Sequence, residues 1–250
     1  MEANMTKEDM MYEILAKISG TEAPLVFKGA LITKLILKEN NFDLLERMTK
    51  DIDANWIGTP PALDELVEII KKALGDLCAV YTVIGSREHS ENKTAGISFL
   101  SKENERLFTM DVNMNSVMSG VREYFYGQGV IKGVLVDEIL ADKISVLSAN
   151  RIFRRAKDLI DVYAFSDCVE VNTHSILAIT EQKGRVLGNF DEFVNRKNDL
   201  EHAYNKLRGV VGKPDFSEVY EQLETFLKPF IEKNDQFKTW DSHTTNWSPE

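Results

Sequence analysis

Cysteine is scarce: Cys78 and Cys168 are the only two in 250 residues, and neither has a neighbour at the spacing of a zinc knuckle or a disulfide framework. Both are expected to be reduced core residues. Proline is rare too, with 6 in the chain, and 43% hydrophobic with 28% charged residues excludes the disordered and fibrous classes. No stretch reaches the roughly 18 consecutive apolar residues of a membrane span. The start, Met1 to Asp9, is acidic and lacks the apolar core of a secretory signal. A cytoplasmic setting with no membrane partner is therefore expected. Positive charge is also in deficit, since 30 Lys and Arg against 40 Asp and Glu leave a net charge of -10. That balance excludes a general affinity for nucleic acid, whose phosphates ask for basic surface. Any RNA contact must be local.

What the chain does carry is a pair of carboxylates one residue apart. Arg47-Met48-Thr49-Lys50-Asp51-Ile52-Asp53-Ala54-Asn55-Trp56 reads as a strand, and side chains at i and i+2 of a strand leave one face together. Asp51 and Asp53 would stand side by side and call for a cation, with Ile52 turned into the core. Mg²⁺ suits such a pair, because it binds through one or two carboxylates and completes its shell with water and substrate phosphate. Asp-x-Asp by itself is also common in a solvated edge strand or a turn, so the tripeptide alone does not establish a metal site. Upstream, Leu25-Val26-Phe27 is a short apolar run before Gly29, and Leu31, Ile32, Leu35 and Ile36 follow at helical spacing. This predicts strand, tight turn, helix, with a small residue that lets a phosphate approach the helix's first N–H groups.

Elsewhere, Met11, Ile14, Leu15 and Ile18 predict an amphipathic first helix, and Leu63, Leu66, Val67, Ile70 and Leu74 another after Thr59-Pro60-Pro61. Residues 79–84, 96–100 and 107–113 read as strands, with turns at 88–93 and 101–106. Asp111 falls inside the last of these strands, on one face with Thr109 and Asn113, where propensity disfavours a carboxylate. Gly127, Gly129 and Gly133 punctuate a short apolar run. Lys143 lies on the apolar stripe of Val136, Ile139, Leu140, Ile144 and Leu147, so its head must reach either water or an anionic partner. In the next segment Phe153, Ala156, Ile160, Tyr163 and Ala164 form a packing face. Arg154, Lys157, Asp158 and Asp161 share another, and the plain reading is helical pairs Arg154–Asp158 and Lys157–Asp161. Beyond Asp167 the pattern reads as wholly helical. The tail from Thr239, with Trp240 and Trp247, is either a strap across the body or a partner contact. Two domains are expected, a mixed-sheet core over 1–135 and a helical domain over 136–250.

Gly29 followed by Arg47-x-Thr49-x-Asp51-x-Asp53 resembles the first motif of the DNA polymerase beta-type nucleotidyltransferase superfamily. Lys143, then Arg151, then the pair Asp158 and Asp161, is similar to the second signature of the AbiEii-type nucleotidyltransferase toxins of abortive-infection and type IV toxin–antitoxin systems. The resemblance implies an α+β fold, a polymerase beta-type mixed sheet flanked by helices and followed by a C-terminal helical region that contributes to the active-site cleft. It implies Asp51, Asp53 and Asp111 as ligands of Mg²⁺ or Mn²⁺, with Asp111 also activating the acceptor hydroxyl. Lys143 would neutralise the triphosphate, and Asp158 would be catalytic or orient the lysine; independently of the resemblance, the place of Lys143 on an apolar stripe predicts that its side chain is dispensable to the ligand-free fold. Lys28, Gly29, Arg47, Thr49, Arg151 and Asp161 would contact the NTP. The implied acceptor is RNA such as tRNA, and the implied partner a cognate antitoxin. Two other readings stay open: an NTP-binding module without turnover, to which Ala30 lends weight by lacking a hydroxyl where relatives carry Gly-Gly or Gly-Ser, and an adenylyltransferase acting on a protein or small molecule.

Overall fold

The computed structural model describes residues 5–44, 46–88, 94–150, 152–233 and 236–249. It forms two compact units, residues 1–35 with 49–135 and residues 36–48 with 136–250. From the N-terminus the elements run α1 (Lys7–Ser19), β1 (Leu25–Lys28), α2 (Gly29–Glu39), β2 (Glu46–Arg47), β3 (Asp51–Trp56), α3 (Leu63–Leu74), β4 (Thr82–Arg87), β5 (Thr94–Leu100), β6 (Arg106–Asn113), β7 (Val121–Tyr126) and β8 (Gly129–Val134). They continue with α4 (Val136–Leu147), α5 (Ala156–Cys168), β9 (Val171–Asn172), α6 (Thr173–Gln182), α7 (Asp191–Asn195), α8 (Lys197–Asn205), β10 (Val210–Val211), α9 (Phe216–Glu232), β11 (Lys238–Asp241) and β12 (Asn246–Pro249).

The first unit is organised by a seven-stranded mixed sheet of order β4-β5-β6-β3-β1-β8-β7. The pairs β3–β6 and β1–β8 are parallel and the other neighbours antiparallel. Alternation gives the sheet two unlike faces. Phe27, Ile52, Ala54, Ile97 and Met110 are fully buried on one of them. The glycines of that face mark where helices lie close: a Cβ at Gly129 would meet Ala16 of α1, one at Gly133 Ile32 of α2, and one at Gly85 Leu63 of α3. α1 opens with a capping box in which Thr6 and Asp9 bond each other's backbone N–H. α3 lays Leu66, Val67, Ile70, Ala73 and Leu74 into the core. The opposite face carries Asp51, Asp53, Thr109, Asp111 and Asn113.

In the second unit α5 is central, with Leu159, Ile160, Val162, Tyr163, Ala164 and Phe165 all buried. The aromatic stripe of α9, Phe216, Tyr220, Phe226 and Phe230, is buried as well. β10 pairs with β2, and β12-β11-β9 form a three-stranded sheet. Trp240 at its centre is 0% exposed, its Nε1–H donating to the Ser166 carbonyl at 2.7 Å.

Several sequence expectations are corrected. The region beyond Asp167 is not wholly helical, because β9 to β12 are strands too short for periodicity and are paired through distant partners. Of the two readings of the tail, the strap is the one seen: it is a hairpin, with Trp240 opposite Trp247, packed on Phe226 of α9. The glycines after Tyr126 turn a hairpin, Gly127 supplying a φ of 57° between β7 and β8. The strand expected from Ala79 starts only at Thr82, since Gly75–Ala79 is a 3₁₀ turn that closes α3. Residues 89–93 of the turn expected at 88–93 lie outside the described residues. Cys78 and Cys168 are free thiols, half-buried and not core. Among the described residues no helix is long and apolar enough to cross a membrane.

Candidate active site

The stretch from Arg47 to Trp56 is two strands, not one. β2 ends at Arg47, and β3 begins at Asp51 after Met48 has donated its N–H to the Gly209 carbonyl at 2.8 Å. Arg47 therefore belongs to the second unit, and Asp51 and Asp53 to the first.

On β3 the burial pattern alternates at first: Asp51 exposed, Ile52 buried, Asp53 half-buried. Thr49 Oγ1 donates to Asp51 Oδ1 at 3.1 Å. The parallel pairing with β6 sets Asp53 directly opposite Asp111 and Asp51 opposite Thr109. On the other side Lys28 of β1 faces Asp53. Gly29 opens α2 with a φ of 71°, and a Cβ there would fall 2.1 Å from Asp53 Oδ2. The first turn of α2 has no acid of its own, so the Asp53 carboxylate takes the place that favours negative charge. Glycine is needed at 29 both for its backbone conformation and for this approach. Asn55, next on the same face, is 1% exposed, and neither of its amide atoms has a hydrogen-bond partner among the described residues.

The three acids share a face but do not converge into a cage: among the described residues no group of three His, Cys, Asp or Glu could hold a metal by itself. Asp111 instead accepts a hydrogen bond from Arg87 Nη2 at 2.8 Å. An open pair of carboxylates with a third beside it still fits Mg²⁺, which needs only one or two protein carboxylates when substrate phosphate fills the rest of its shell.

In the second unit Lys143 Nζ donates to Asp158 Oδ1 at 2.9 Å and to Asp161 Oδ2 at 2.5 Å. Arg47 Nη1 also donates to Asp161 Oδ2, and Arg155 Nε donates to Asp158 Oδ2 at 2.8 Å. Asp158 and Asp161 are 6% and 2% exposed. The short β2–β10 pair, with Arg47 opposite Val210, carries the guanidinium to α5. Burial by itself would push the Lys143 ammonium down, but the Asp161 and Asp158 charges outweigh it and hold the lysine above its ordinary range. Burial would likewise raise Asp158, and Lys143 followed by Arg155 reverses that, holding the carboxyl below its usual range. The expected pairs Arg154–Asp158 and Lys157–Asp161 are replaced by these. Arg154 lies in the 3₁₀ turn Ile152–Arg155 ahead of α5, so helical spacing does not apply to it, and both acids point inward while Lys157 is exposed.

Of the residues singled out in the sequence, Lys28, Gly29, Thr49, Asp51, Asp53 and Asp111 gather in the first unit, and Arg47, Lys143, Asp158 and Asp161 in the second. Arg151 lies outside the described residues. Sequence reasoning missed Arg87, Arg155 and the buried Asn55. The i, i+3 spacing of Arg155 and Asp158 was a readable signal, as was the i, i+2 alternation that puts Asn55 on the face of Asp51 and Asp53; nothing local pointed to Arg87.

Comparison with known proteins adds to this geometry. No curated protein matches the chain in sequence. Among solved structures, JHP933 from Helicobacter pylori is similar in fold, with a TM-score of 0.52 at 16% identity over 91% of each chain. A candidate nucleotidyltransferase from H. pylori gives a TM-score of 0.54 at 14% identity, covering 93% of this chain and 96% of its own. The sequence pattern of the family described as nucleotidyl transferase AbiEii toxin, type IV toxin–antitoxin system, runs over residues 13–242. A match of that extent takes in both carboxylate clusters, and the chain belongs to the AbiEii nucleotidyltransferase toxin family.

Proposed function

We propose that the chain transfers a nucleotide from an NTP to an RNA acceptor such as tRNA in a Mg²⁺-dependent reaction, as the toxin partner of a cognate antitoxin. The observation that carries this reading is the β3–β6 register, which sets Asp53 opposite Asp111 with Asp51 on the same face. Asp51 and Asp53 would hold the metal, with Asp111 beside them. When bound, the ion supplies charge neutralisation of the nucleotide's phosphates and orients the leaving group.

The chain's own residues do the rest. The first N–H groups of α2, behind Gly29, present a positive helix end on the carboxylate side of the sheet. Thr49 orients Asp51 through its hydroxyl, and Asp111, on the same face, is assigned as the base for the acceptor hydroxyl's proton. Lys143 and Arg47 are proposed to neutralise phosphate. In support, Lys143 uses two of its three N–H donors on Asp158 and Asp161, and Arg47 Nε is buried without a hydrogen-bond partner among the described residues. The three cations Arg47, Lys143 and Arg155 outnumber the two acids they touch, so the cluster keeps a positive charge for an anion.

The test is incorporation of label from α-³²P-NTPs in a cell extract with added Mg²⁺, followed by nuclease and protease digestion of the product. Nuclease-sensitive label that disappears in Asp53→Asn is expected. Full incorporation by Asp53→Asn would refute the metal assignment, and protease-sensitive label would move the acceptor to protein.

A further inference from the structure

Arg87 reaches the acidic face through an irregularity in β4. The register of β4 on β5 shifts between Gly85, opposite Ile97, and Arg87, opposite Gly96. Without that extra residue Arg87 would stand opposite Ala95, whose own partner is the buried Val112. A one-residue shift turns a side chain to the other face, and bulges recur where a side chain is re-aimed. Gly96 completes the passage. It lies between Arg87 and Asp111 in the register, and a Cβ there would come within 3.0 Å of Arg87 Cβ. The guanidinium thus crosses one strand and donates from Nη2 to Asp111 Oδ1 at 2.8 Å.

We propose that Arg87 is a displaceable counter-ion of Asp111, competing with divalent metal for that carboxylate and withdrawing when the metal arrives. The inference rests on the metal-binding role of Asp51, Asp53 and Asp111 proposed above. Both side chains are open to solvent, 54% and 40% exposed, and an exposed ion pair is weak enough to give way. With its bonded carboxylate taken by a metal, the freed guanidinium would be left beside the site as a planar donor suited to phosphate. Arg87 is in this reading a positioning residue that acts through Asp111.

The test is Mn²⁺ binding by the full chain without nucleotide, read by electron paramagnetic resonance, in the unmodified protein, Arg87→Gln, Asp111→Asn, the double variant and Asp53→Asn. Arg87→Gln should tighten Mn²⁺ by roughly two- to five-fold, the range an exposed pair can supply, and have no effect in the Asp111→Asn background. Equal or weaker binding by Arg87→Gln overturns the proposal. So does an equal gain in both backgrounds, which would mean only that a nearby positive charge has been removed. Arg87→Lys should fall between, since it keeps the charge but loses the fork. Absence of Mn²⁺ binding in the unmodified protein, or no loss in Asp53→Asn, would overturn the metal reading itself, whereas normal Mn²⁺ binding that Asp53→Asn abolishes and Arg87→Gln leaves unchanged would overturn the counter-ion alone.

Discussion

The carboxylate of Asp53 occupies the space that a side chain at Gly29 would need, with Oδ2 only 2.1 Å from where the Cβ would be. Gly29→Ala is therefore expected to cost more than the about 1–2 kcal/mol of a left-handed non-glycine residue, because Asp53 must also move. Thermal unfolding should show a fall of several degrees, at about 2–4 °C per kcal/mol for a chain of this size. In an Asp53→Ala background the same substitution should lose only the backbone part. Equal costs in both backgrounds would mean that the carboxylate is not the obstacle.

Lys143 was expected from its place on an apolar stripe to be dispensable to the ligand-free fold, and the geometry reverses that. Its ammonium joins two nearly buried acids, and breaking a buried pair by removing one partner costs about 3–5 kcal/mol. Lys143→Met should destabilise the chain by an amount of that order in urea unfolding. Arg155→Ala, on a side chain 56% exposed, should cost about 1 kcal/mol or less. A Lys143→Met protein as stable as the parent would show that the lysine is held for a ligand alone.

Much of the first unit was legible because its signals are local. Alternation placed Ile52 inward with Asp51 and Asp53 outward, and it put Thr109, Asp111 and Asn113 on one face; helical spacing found α1, α3 and α4. Lys143 on an apolar stripe called for water or an anionic partner, and it meets the carboxylates of Asp158 and Asp161. The residues that were not legible depend on distant pairing. Arg47 meets Asp161 across a separation of 114 residues, and the break after Arg47 follows from pairing with Val210, which no local pattern announces. Arg87 reaches Asp111 only because of a register shift, and a bulge in β4 leaves no periodic trace. The strands β9 and β11 are set by packing around Trp240, where two or four residues cannot establish a period.

Trp240 should be the largest single side-chain contribution to the second unit. Its ring lies edge-on to Phe226 at 5.1 Å and to Trp247 at 5.3 Å, and its backbone pairs with Val171. Trp240→Ala is expected to cost about 3–5 kcal/mol, as large buried aromatics do, and Trp247→Ala, half-exposed, clearly less. Urea unfolding monitored by far-ultraviolet circular dichroism checks the order; a larger loss for Trp247 would contradict the packing.

The Lys143–Asp158 pair also fixes how stability should depend on pH. Asp158 is held below its usual range in the folded chain, so its contribution is complete above the unfolded aspartate value of about 3.9 and is lost as pH falls through the lower folded value. Lys143 is held above its ordinary range, so its contribution is complete below the unfolded lysine value of about 10.4 and is lost as pH rises through the folded one. Stability should be level between these limits, falling on the acid side with proton uptake by Asp158 and on the alkaline side with proton loss from Lys143. Other groups titrate in the same ranges: Asp9, lowered to about 2 by bonds from Thr6 and Tyr126, on the acid side, and Tyr163 and Tyr204, raised by burial, on the alkaline side. The informative quantity is therefore the difference between parent and variant. Asp158→Asn should be less stable than the parent throughout about pH 5 to 9, with the gap closing as the pH drops below the aspartate range. For Lys143→Met the gap should close instead at high pH. A gap between parent and Asp158→Asn that stays constant from neutral pH down through acid unfolding would show that the charge on Asp158 does not stabilise the fold.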